Sequence, residues 1–299
     1  MTYRASYVKL LEEGILEERL GLLKELMKEC RLCPHNCGVD RKKDLGFCKA
    51  YDKALVSNYS PHFGEEEVLV GKRGSGTVFF SYCNMRCLYC QNYTLSFLGQ
   101  GKAVSNEELA DIFLYIQNQY NCHNLNLVTP SHFVANIVEA IFIAAKKGLS
   151  LPLVYNCGGY ESLEVLKLLD GIVDIYMPDF KYASNERGQS YSSVKGYFDV
   201  VKRALLEMDR QVGPLKAQNN IAYRGLLIRH LVLPGNISET KKILDFIHEN
   251  LSKGVMVNLM DQYYPSNLAF KHPPLDRRLY YEEYEEVLAY AKGLGLRLS

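Results

Sequence analysis

Apolar and polar residues follow two different patterns along this chain, and the change comes near Thr77. From Thr77 onward, short β-branched or apolar runs are separated by longer amphipathic stretches, the pattern of strands that alternate with helices. Such alternation predicts an α/β fold whose parallel sheet is covered on both faces, either a partial barrel or a doubly wound sheet. The six predicted strands cover residues 77–82, 125–130, 151–156, 172–179, 226–234 and 255–263.

Helical spacing of apolar residues fills the intervals between these runs. The first predicted helix has the clearest start, because Ser105 and Glu108 form a capping-box arrangement. Both α/β architectures place ligands at the carboxyl ends of the strands, so the residues that follow each run are candidates for a site. The predicted helices cover residues 105–120, 132–147, 162–169, 192–212, 238–251 and 282–294.

The first 76 residues differ from the rest. An apolar stripe over residues 3–29, interrupted at Gly14 and Gly21, predicts one broken helix or two short helices. Residues 30–76 are irregular and rich in Gly, Pro, Asn, Asp and Lys, with short extended pieces at 54–59 and 67–70. We therefore divide the chain into N-terminal helices with a cysteine-rich metal-binding element, residues 1–76, and a barrel domain, residues 77–299.

Charge and hydropathy exclude two classes of partner. The 299 residues include 35 Lys and Arg against 34 Asp and Glu, so no basic excess predicts a nucleic-acid partner. The longest apolar segment, residues 133–145, contains Asn136 and Glu139 and is shorter than the roughly 18 apolar residues of a membrane span. The start of the chain has no signal-peptide pattern. We expect a cytoplasmic protein with no membrane partner.

The nine cysteines are the main candidates for chemistry, because thiols in a reducing compartment stay free for metals or catalysis. Cys122 and Cys157 stand alone and are predicted to be buried as small hydrophobic residues. Four others lie in the irregular segment, where binding zinc or an iron-sulfur cluster would supply order that the sequence otherwise lacks. These four are Cys30, Cys33, Cys37 and Cys48.

Three more cysteines, Cys83, Cys87 and Cys90, follow the first predicted strand with Cys-x3-Cys-x2-Cys spacing. A catalytic zinc ion with an open position is one interpretation, although all-thiolate sites are typical of structural zinc or of iron-sulfur clusters with four ligands. A cubane cluster held by only three cysteines would keep one iron open to an external ligand. Such a cluster would be a reactive cofactor.

This loop resembles the signature of the radical S-adenosylmethionine (SAM) superfamily, whose fold is a partial six-unit βα barrel. The likeness extends to the N-terminal Cys-x2-Cys-Pro-x2-Cys-Gly element and covers roughly residues 30–290. Within the superfamily, the chain is similar in particular to the PflX-type branch, the pyruvate formate-lyase activating enzyme-like proteins. The stretches that carry this likeness include LNLVTPSHF, LVYNCGGYESLEVLKLLDGIVDIYMPDFKY, GLLIRHLVLPGN and VNLMDQYYP.

The resemblance implies a [4Fe-4S] cluster on Cys83, Cys87 and Cys90, with SAM bound to the open iron. One electron, from a flavodoxin- or ferredoxin-type donor, would cleave SAM to a 5'-deoxyadenosyl radical that abstracts hydrogen from a protein or peptide substrate. In one version this oxygen-sensitive oxidoreductase installs a glycyl radical on a partner enzyme in an anaerobic cytoplasm, and in another it modifies a different peptide or a small molecule. A zinc-stabilised binding or sensor protein is the non-enzymatic alternative.

The resemblance also assigns cofactor-binding residues at the strand ends. Tyr89 matches an adenine-packing position, Lys181 and Arg229 match positions that hold the SAM carboxylate, and Met177 and Asp179 match supporting positions. A charged residue at a barrel mouth is otherwise an ordinary solvated group.

Two runs depart from the family pattern. Thr129-Pro130-Ser131-His132 stands where many relatives have Gly-Gly-Glu, and Tyr155-Asn156-Cys157-Gly158 replaces an Asp-Thr-Asn-Gly run, so an acidic contact is missing. The remaining implied cofactor contacts are Thr129, Asn156 and Gln262.

Overall fold

The structure is a computed structural model that describes residues 3–299. Its centre consists of parallel strands, and each of the six predicted runs overlaps one of them. Neighbouring strands of this group follow one another in chain order, without the reversal that marks a doubly wound sheet. The α/β fold with a mostly parallel sheet is therefore confirmed, and its winding is that of a partial barrel. The six strands are β2 (Ser75–Phe80), β4 (Leu125–Val128), β5 (Leu153–Cys157), β6 (Ile175–Pro178), β8 (Ile221–Leu231) and β9 (Met256–Met260).

Shorter strands extend the sheet on both sides. On one side β1 (Ala54–His62) pairs antiparallel with β2, and β3 (Lys102–Val104) pairs with β1. On the other side β10 (Arg297–Leu298) lies parallel to β9, while β7 (Lys216–Gln218) forms a hairpin with β8. The sheet order is β10-β9-β8-β6-β5-β4-β2-β1-β3. Because β1 precedes Thr77, the sheet continues across the predicted domain boundary.

The helices agree with most of the predicted intervals. The N-terminal stripe forms two helices that break at Gly14, whose φ is +77°, whereas Gly21 lies inside the second helix. Ser105 and Glu108 make both hydrogen bonds of the capping box at the start of α5. The predicted helices found in the structure are α1 (Ser6–Glu12), α2 (Ile15–Lys28), α5 (Asn106–Asn118), α6 (Val134–Lys146), α7 (Leu163–Leu168), α10 (Thr240–Asn250) and α11 (Tyr281–Gly293).

Two predicted elements are wrong. Residues 192–212 form the end of α8 (Asn185–Ser192) and the whole of α9 (Tyr197–Val212), because Ser193 and Gly196 adopt left-handed backbone angles that end one helix before the next begins. Residues 67–70 are not extended: they form a single helical turn, α3 (Glu67–Val70). Another short turn, α4 (Tyr93–Ser96), follows the second cysteine cluster.

Apolar side chains pack against both faces of the sheet. The larger cluster lies between the strands and the surrounding helices and includes Leu127, Tyr155, Tyr176 and Ile228. A separate cluster lines the inner face of the barrel and consists of Val154, Ile175, Met177, Leu227 and Met256 with Leu69 of α3 and a few neighbours. Because side chains alternate between faces, this interior cluster fixes which residue of each strand points inward.

The two isolated cysteines are buried free thiols, as predicted, with exposures of 1% for Cys122 and 3% for Cys157. Across residues 3–299, none of the helices has both the length and the apolar character required to cross a bilayer.

A buried carboxyl group on the helix-facing side of the sheet predicts a pH effect on stability. Burial raises the pKa of Glu161 from 4.5 to about 7, although Ser131 and Tyr155 hydrogen-bond to its carboxylate. Because the folded state favours the protonated form, wild-type stability should fall between pH 4.5 and 7, by on the order of 3 kcal/mol for this group. Urea unfolding of wild type and Glu161→Gln at pH 5 and pH 8 tests this, since the free energy of unfolding of the variant should lack the part of the pH dependence that Glu161 contributes. Equal pH dependence in both proteins would contradict it.

Candidate active site

The second group of cysteines, Cys83, Cys87 and Cys90, lies in a loop that leaves the carboxyl end of β2. Backbone hydrogen bonds fix this loop from two sides: Arg86 N donates to Ser192 O at 2.9 Å, and Leu268 N donates to Leu88 O at 2.8 Å. Leu88 N also donates to the carbonyl of Tyr191 at 2.9 Å. The loop is therefore held between the end of α8 and the segment after β9, at the end of the barrel where the parallel strands terminate.

Each of the three thiols already has a hydrogen-bonding neighbour. Hydrogen bonds to cluster sulfurs are among the features that tune iron-sulfur sites. The contacts are Met85 N to Cys83 Sγ at 3.3 Å, Ser192 Oγ to Cys87 Sγ at 3.0 Å, and Cys90 Sγ with Ser96 Oγ at 3.1 Å.

The donor set fits an iron-sulfur cluster. Burial raises the pKa of Cys87 to about 11 and that of Cys83 further still, so bound cations are needed to hold these groups as thiolates. Within residues 3–299, no three His, Cys, Asp or Glu side chains converge closely enough to share one metal ion. A cubane presents a different iron to each thiolate, so its ligands need no common point.

A compact charged group lies at the neighbouring strand ends. Asp179, just beyond β6, accepts hydrogen bonds from Lys181 Nζ at 2.6 Å and from Arg229 Nε of β8 at 2.9 Å. Arg229 also donates to Asn156 Oδ1 of β5 at 2.8 Å. The strand register brings these side chains together, because Asn156 pairs with inward-facing Met177 and Asp179 forms a β-bridge with Arg229. The predicted cofactor residues Asn156, Met177, Asp179 and Arg229 therefore share the inner face.

Electrostatics hold this group in its ionised form. Burial alone would raise the pKa of Asp179, but the charges of Arg229 and Lys181 outweigh burial, and the pKa of Asp179 lies below its ordinary value. Burial likewise opposes the charge of Lys181, yet Asp179 and the Cys87 thiol raise the pKa of its ammonium. Lys181 thus stays positively charged beside the cysteine loop.

The other predicted cofactor residues are placed less uniformly. Thr129 has a left-handed φ of +60°, and its N–H donates to Asn156 O at 2.8 Å. Tyr89 is only 5% exposed, and its hydroxyl accepts a hydrogen bond from Tyr182. Gln262 is exposed, and its carbonyl accepts a 3.4 Å hydrogen bond from Gln91 Nε2. Their roles toward a cofactor stay predictions.

Sequence reasoning missed Glu65 and Glu66. Glu65 forms an ion pair with Arg229 at 3.5 Å, and Glu66 accepts a 2.9 Å hydrogen bond from Asn258 Nδ2. Asn258 pairs with Arg229 in the register of β9 and β8, so both acidic residues reach the inner face of the barrel. The acidic run Glu65-Glu66-Glu67 was the only local signal, and it does not indicate that the segment enters the barrel.

The N-terminal cysteines lie beside the cluster loop. Cys30, Cys33 and Cys48 are buried and Cys37 is half-buried. His35, between them, makes a 2.8 Å hydrogen bond with the carbonyl of Asn84 and stacks on Phe47 with ring centroids 3.8 Å apart. The contact with Asn84 joins the N-terminal element directly to the loop of the second cysteine cluster.

Arg41 is an unusual neighbour of this element. It is 2% exposed, and its hydrogen bonds go to the backbone carbonyls of Ala50, Tyr51 and His132. A buried guanidinium without a carboxylate partner is costly unless other negative charge lies close. Burial raises the pKa of Cys48, and the charge of Arg41 acts in the opposite direction and favours its thiolate.

Comparison with known proteins finds two uncharacterized relatives of this chain. The uncharacterized protein MJ0674 of Methanocaldococcus jannaschii is 36% identical over 303 residues, which cover 98% of this chain and 82% of that protein. A second uncharacterized protein of the same organism, MJ0808, is 21% identical over 263 residues, covering 82% of this chain and 73% of that protein.

Solved structures and family models agree on the fold. SuiB of Streptococcus suis, solved with bound S-adenosylmethionine, aligns with a TM-score of 0.50 at 11% identity over 73% of this chain. The alignment covers 48% of SuiB, so this chain spans about half of that protein. The family model of the Radical SAM superfamily matches residues 77–247, more than half of the chain. With its barrel, its three-cysteine loop and this match, the chain belongs to the radical SAM superfamily of enzymes.

Proposed function

We propose that this protein is an iron-sulfur oxidoreductase that cleaves SAM reductively and abstracts a hydrogen atom from a protein or peptide substrate. The observation that carries the proposal is the position of three cysteine thiols beside an ionised Lys181: Cys87 is buried, and Cys83 and Cys90 are half-buried. When bound, a [4Fe-4S] cluster would supply the electron that converts SAM into methionine and a hydrogen-abstracting radical.

The chain's own residues would bind and orient SAM. Lys181 supplies a point charge and Arg229 a planar donor fork, and both suit a carboxylate. Asp179 holds the two cations side by side at 2.6 and 2.9 Å, so their positions are set before a ligand arrives. Preorganisation of this kind lowers the entropy cost of binding.

The surface around the cluster loop supports a macromolecular substrate. Two segments flank the loop, residues 91–98 and 262–270, and Gln91 Nε2 donates to Gln262 O across them. They expose large apolar side chains, a feature typical of surfaces that contact other proteins. These are Tyr93 at 38%, Leu98 at 63%, Tyr264 at 45%, Leu268 at 39% and Phe270 at 65% exposure.

Product analysis tests the general reaction. Anaerobic protein with reconstituted cluster, reduced through flavodoxin or ferredoxin, should convert SAM to methionine and 5'-deoxyadenosine. Deuterium from a deuterated extract should enter 5'-deoxyadenosine from the macromolecular fraction and not from the small-molecule fraction. No cleavage by a cluster-loaded protein would contradict the proposed reaction, and deuterium from small molecules alone would contradict the proposed substrate class.

Within this function we propose that the protein acts as a PflX-type activating enzyme on a glycyl-radical partner. The support is the similarity of the N-terminal cysteine element and strand-end runs to that branch. Electron paramagnetic resonance of a candidate partner, incubated with the reduced enzyme and SAM, should show a doublet typical of a glycyl radical. Substrate deuterium transfer without such a signal would favour modification of a different peptide.

We propose further that Cys30, Cys33, Cys37 and Cys48 hold a metal centre, either a second iron-sulfur cluster, whose ligands need no common point, or zinc, which would require the four thiols to move closer together than they lie in this structure. The buried charge of Arg41 supports this, because four thiolates with a divalent ion leave net negative charge beside the guanidinium. Metal analysis of anaerobically isolated protein separates the forms. About eight irons and eight sulfides per chain indicate two clusters, and about four with one zinc indicate a zinc centre.

Removal of one N-terminal thiol should affect stability. Cys33→Ala should lower the unfolding temperature by more than about 5 °C, since a metal centre would order the irregular segment around it. The SAM dissociation constant should change little. Calorimetric unfolding with Cys122→Ala as a control checks this, and a fall no larger than that of the control would exclude a structural metal role.

Lys181→Ala should weaken SAM binding by about tenfold or more, because it removes a charge from the proposed carboxylate site. Equilibrium binding of SAM to the cluster-loaded variant measures the effect. Lys202→Ala, which removes a Lys whose side chain is 32% exposed and pairs with Asp199 on α9, serves as the matched control. Unchanged affinity in Lys181→Ala would remove this residue from the site.

A further inference from the structure

The segment between β1 and α3 carries a carboxylate group into the barrel interior. Glu66 is 8% exposed, and its Oε1 accepts the hydrogen bond from Asn258 Nδ2. Its other oxygen, Oε2, is buried and has no hydrogen-bond partner among the described residues. A few residues further along, Leu69 packs with Val154, Ile175 and Leu227 in the interior cluster, which fixes the segment inside the barrel.

The charges on this inner surface do not balance. Lys181 and Arg229 supply two positive charges, and Asp179, Glu65 and Glu66 supply three carboxylates. Asp179 takes hydrogen bonds from both cations, while Glu65 shares Arg229 at the longer distance of 3.5 Å. Burial raises the pKa of Glu65, and the charges of Arg229 and of His62 at the end of β1 act in the opposite direction. Glu66 forms no ion pair within residues 3–299.

A second unpartnered group lies deeper in the same barrel. Asn126 is fully buried, and neither its Oδ1 nor its Nδ2 has a hydrogen-bond partner among the described residues. Asn126 pairs in register with Val154, which belongs to the interior cluster, so its side chain points inward. An unpaired buried polar group costs roughly 1 to 3 kcal/mol, a cost that is removed by a ligand, an ion or a water molecule that supplies the missing hydrogen bond.

We propose that Glu65 and Glu66 bind an alkylammonium group inside the barrel. An ammonium ion would donate to Glu66 Oε2 and supply the missing positive charge. The inference rests on the proposed function, and it narrows the substrate to one that presents a protonated amine, such as a lysine side chain. SAM also carries an ammonium group, so the same chemistry has two sources that the experiment must separate.

The probe is n-butylammonium, with n-butanol as its neutral counterpart of similar shape, titrated calorimetrically into cluster-loaded protein. Saturable binding of the amine, at least tenfold tighter than that of the alcohol, is expected. Glu66→Gln keeps the contact with Asn258 and should weaken amine binding at least tenfold. Glu282→Gln, at an exposed position of α11, should leave it unchanged.

Titration in the presence of saturating SAM separates the two sources. Undiminished amine binding assigns the site to a substrate amine, whereas displacement by SAM assigns it to the ammonium of SAM and contradicts the narrowed substrate class. Equal binding of alcohol and amine, or equal amine binding in wild type and Glu66→Gln, would overturn it. If Glu66→Gln does not fold, as judged by circular dichroism, the comparison of amine with alcohol binding in wild type tests the proposal on its own. Because the readout is binding, it is independent of whether SAM is cleaved.

Discussion

Cys87→Ala should reduce SAM cleavage to background while the barrel remains folded. The side chain is 9% exposed in a loop outside the parallel strands, so truncation removes one small buried group at a cost of about 1 kcal/mol. The chemistry is far more sensitive, because two thiols cannot hold a cubane in the same position as three. Formation of 5'-deoxyadenosine, cluster absorbance and urea unfolding should be measured together.

The matched control for this variant is Cys122→Ala. Cys122 is even less exposed, at 1%, but lies away from the loop, next to β4. It should retain both cluster and cleavage. If Cys87→Ala and Cys122→Ala lose activity to the same extent, or if Cys87→Ala unfolds, the three-thiol loop is not a separate reactive centre.

Asp179→Ala should destabilise the protein by about 1.5 to 3 kcal/mol, because it leaves the half-buried charges of Lys181 and Arg229 without their shared partner. The two cations would then repel each other at the end of the barrel. Asp179→Asn keeps the shape and loses the charge, so a smaller loss is expected. Urea unfolding at neutral pH measures both.

The effect of Asp179 should also depend on pH. Its pKa is lowered in the folded protein, so its contribution is present above the unfolded value of about 3.9 and is lost as the pH falls through the folded value. The stability difference between wild type and Asp179→Asn should therefore shrink below about pH 4. A difference that stays constant down to pH 2.5 would show that packing, and not charge, accounts for it.

The regular part of the fold was predictable because it depends on local pattern. Each of the six parallel strands is a buried run, and runs such as residues 125–128 and 153–157 are nearly continuous in burial. The capping box at Ser105 marks the start of α5 for the same reason. The break between α8 and α9 was missed, because Ser193 adopts a left-handed backbone conformation that the presence of a serine in the sequence does not predict.

The candidate site was predictable only in part. Cysteine spacing identified the loop, and the resemblance to the radical SAM superfamily identified Asp179, Lys181 and Arg229, which hydrogen bonds join at neighbouring strand ends. Glu65 and Glu66 could not be located, because their position depends on how an irregular segment crosses the barrel. Contacts such as Ser192 with Cys87 join residues 105 positions apart and leave no trace in local sequence.

The sheet ends in strands that are too short to recruit a foreign strand. Of the two outermost, β3 has three residues and β10 has two. Long, flat edges template cross-molecule pairing and amyloid growth, and brief ones give an incoming strand few backbone groups to register against. A barrel that never closes would usually be exposed to this hazard. Here the short edge strands limit strand pairing between molecules during the interval after synthesis, before cofactors are bound.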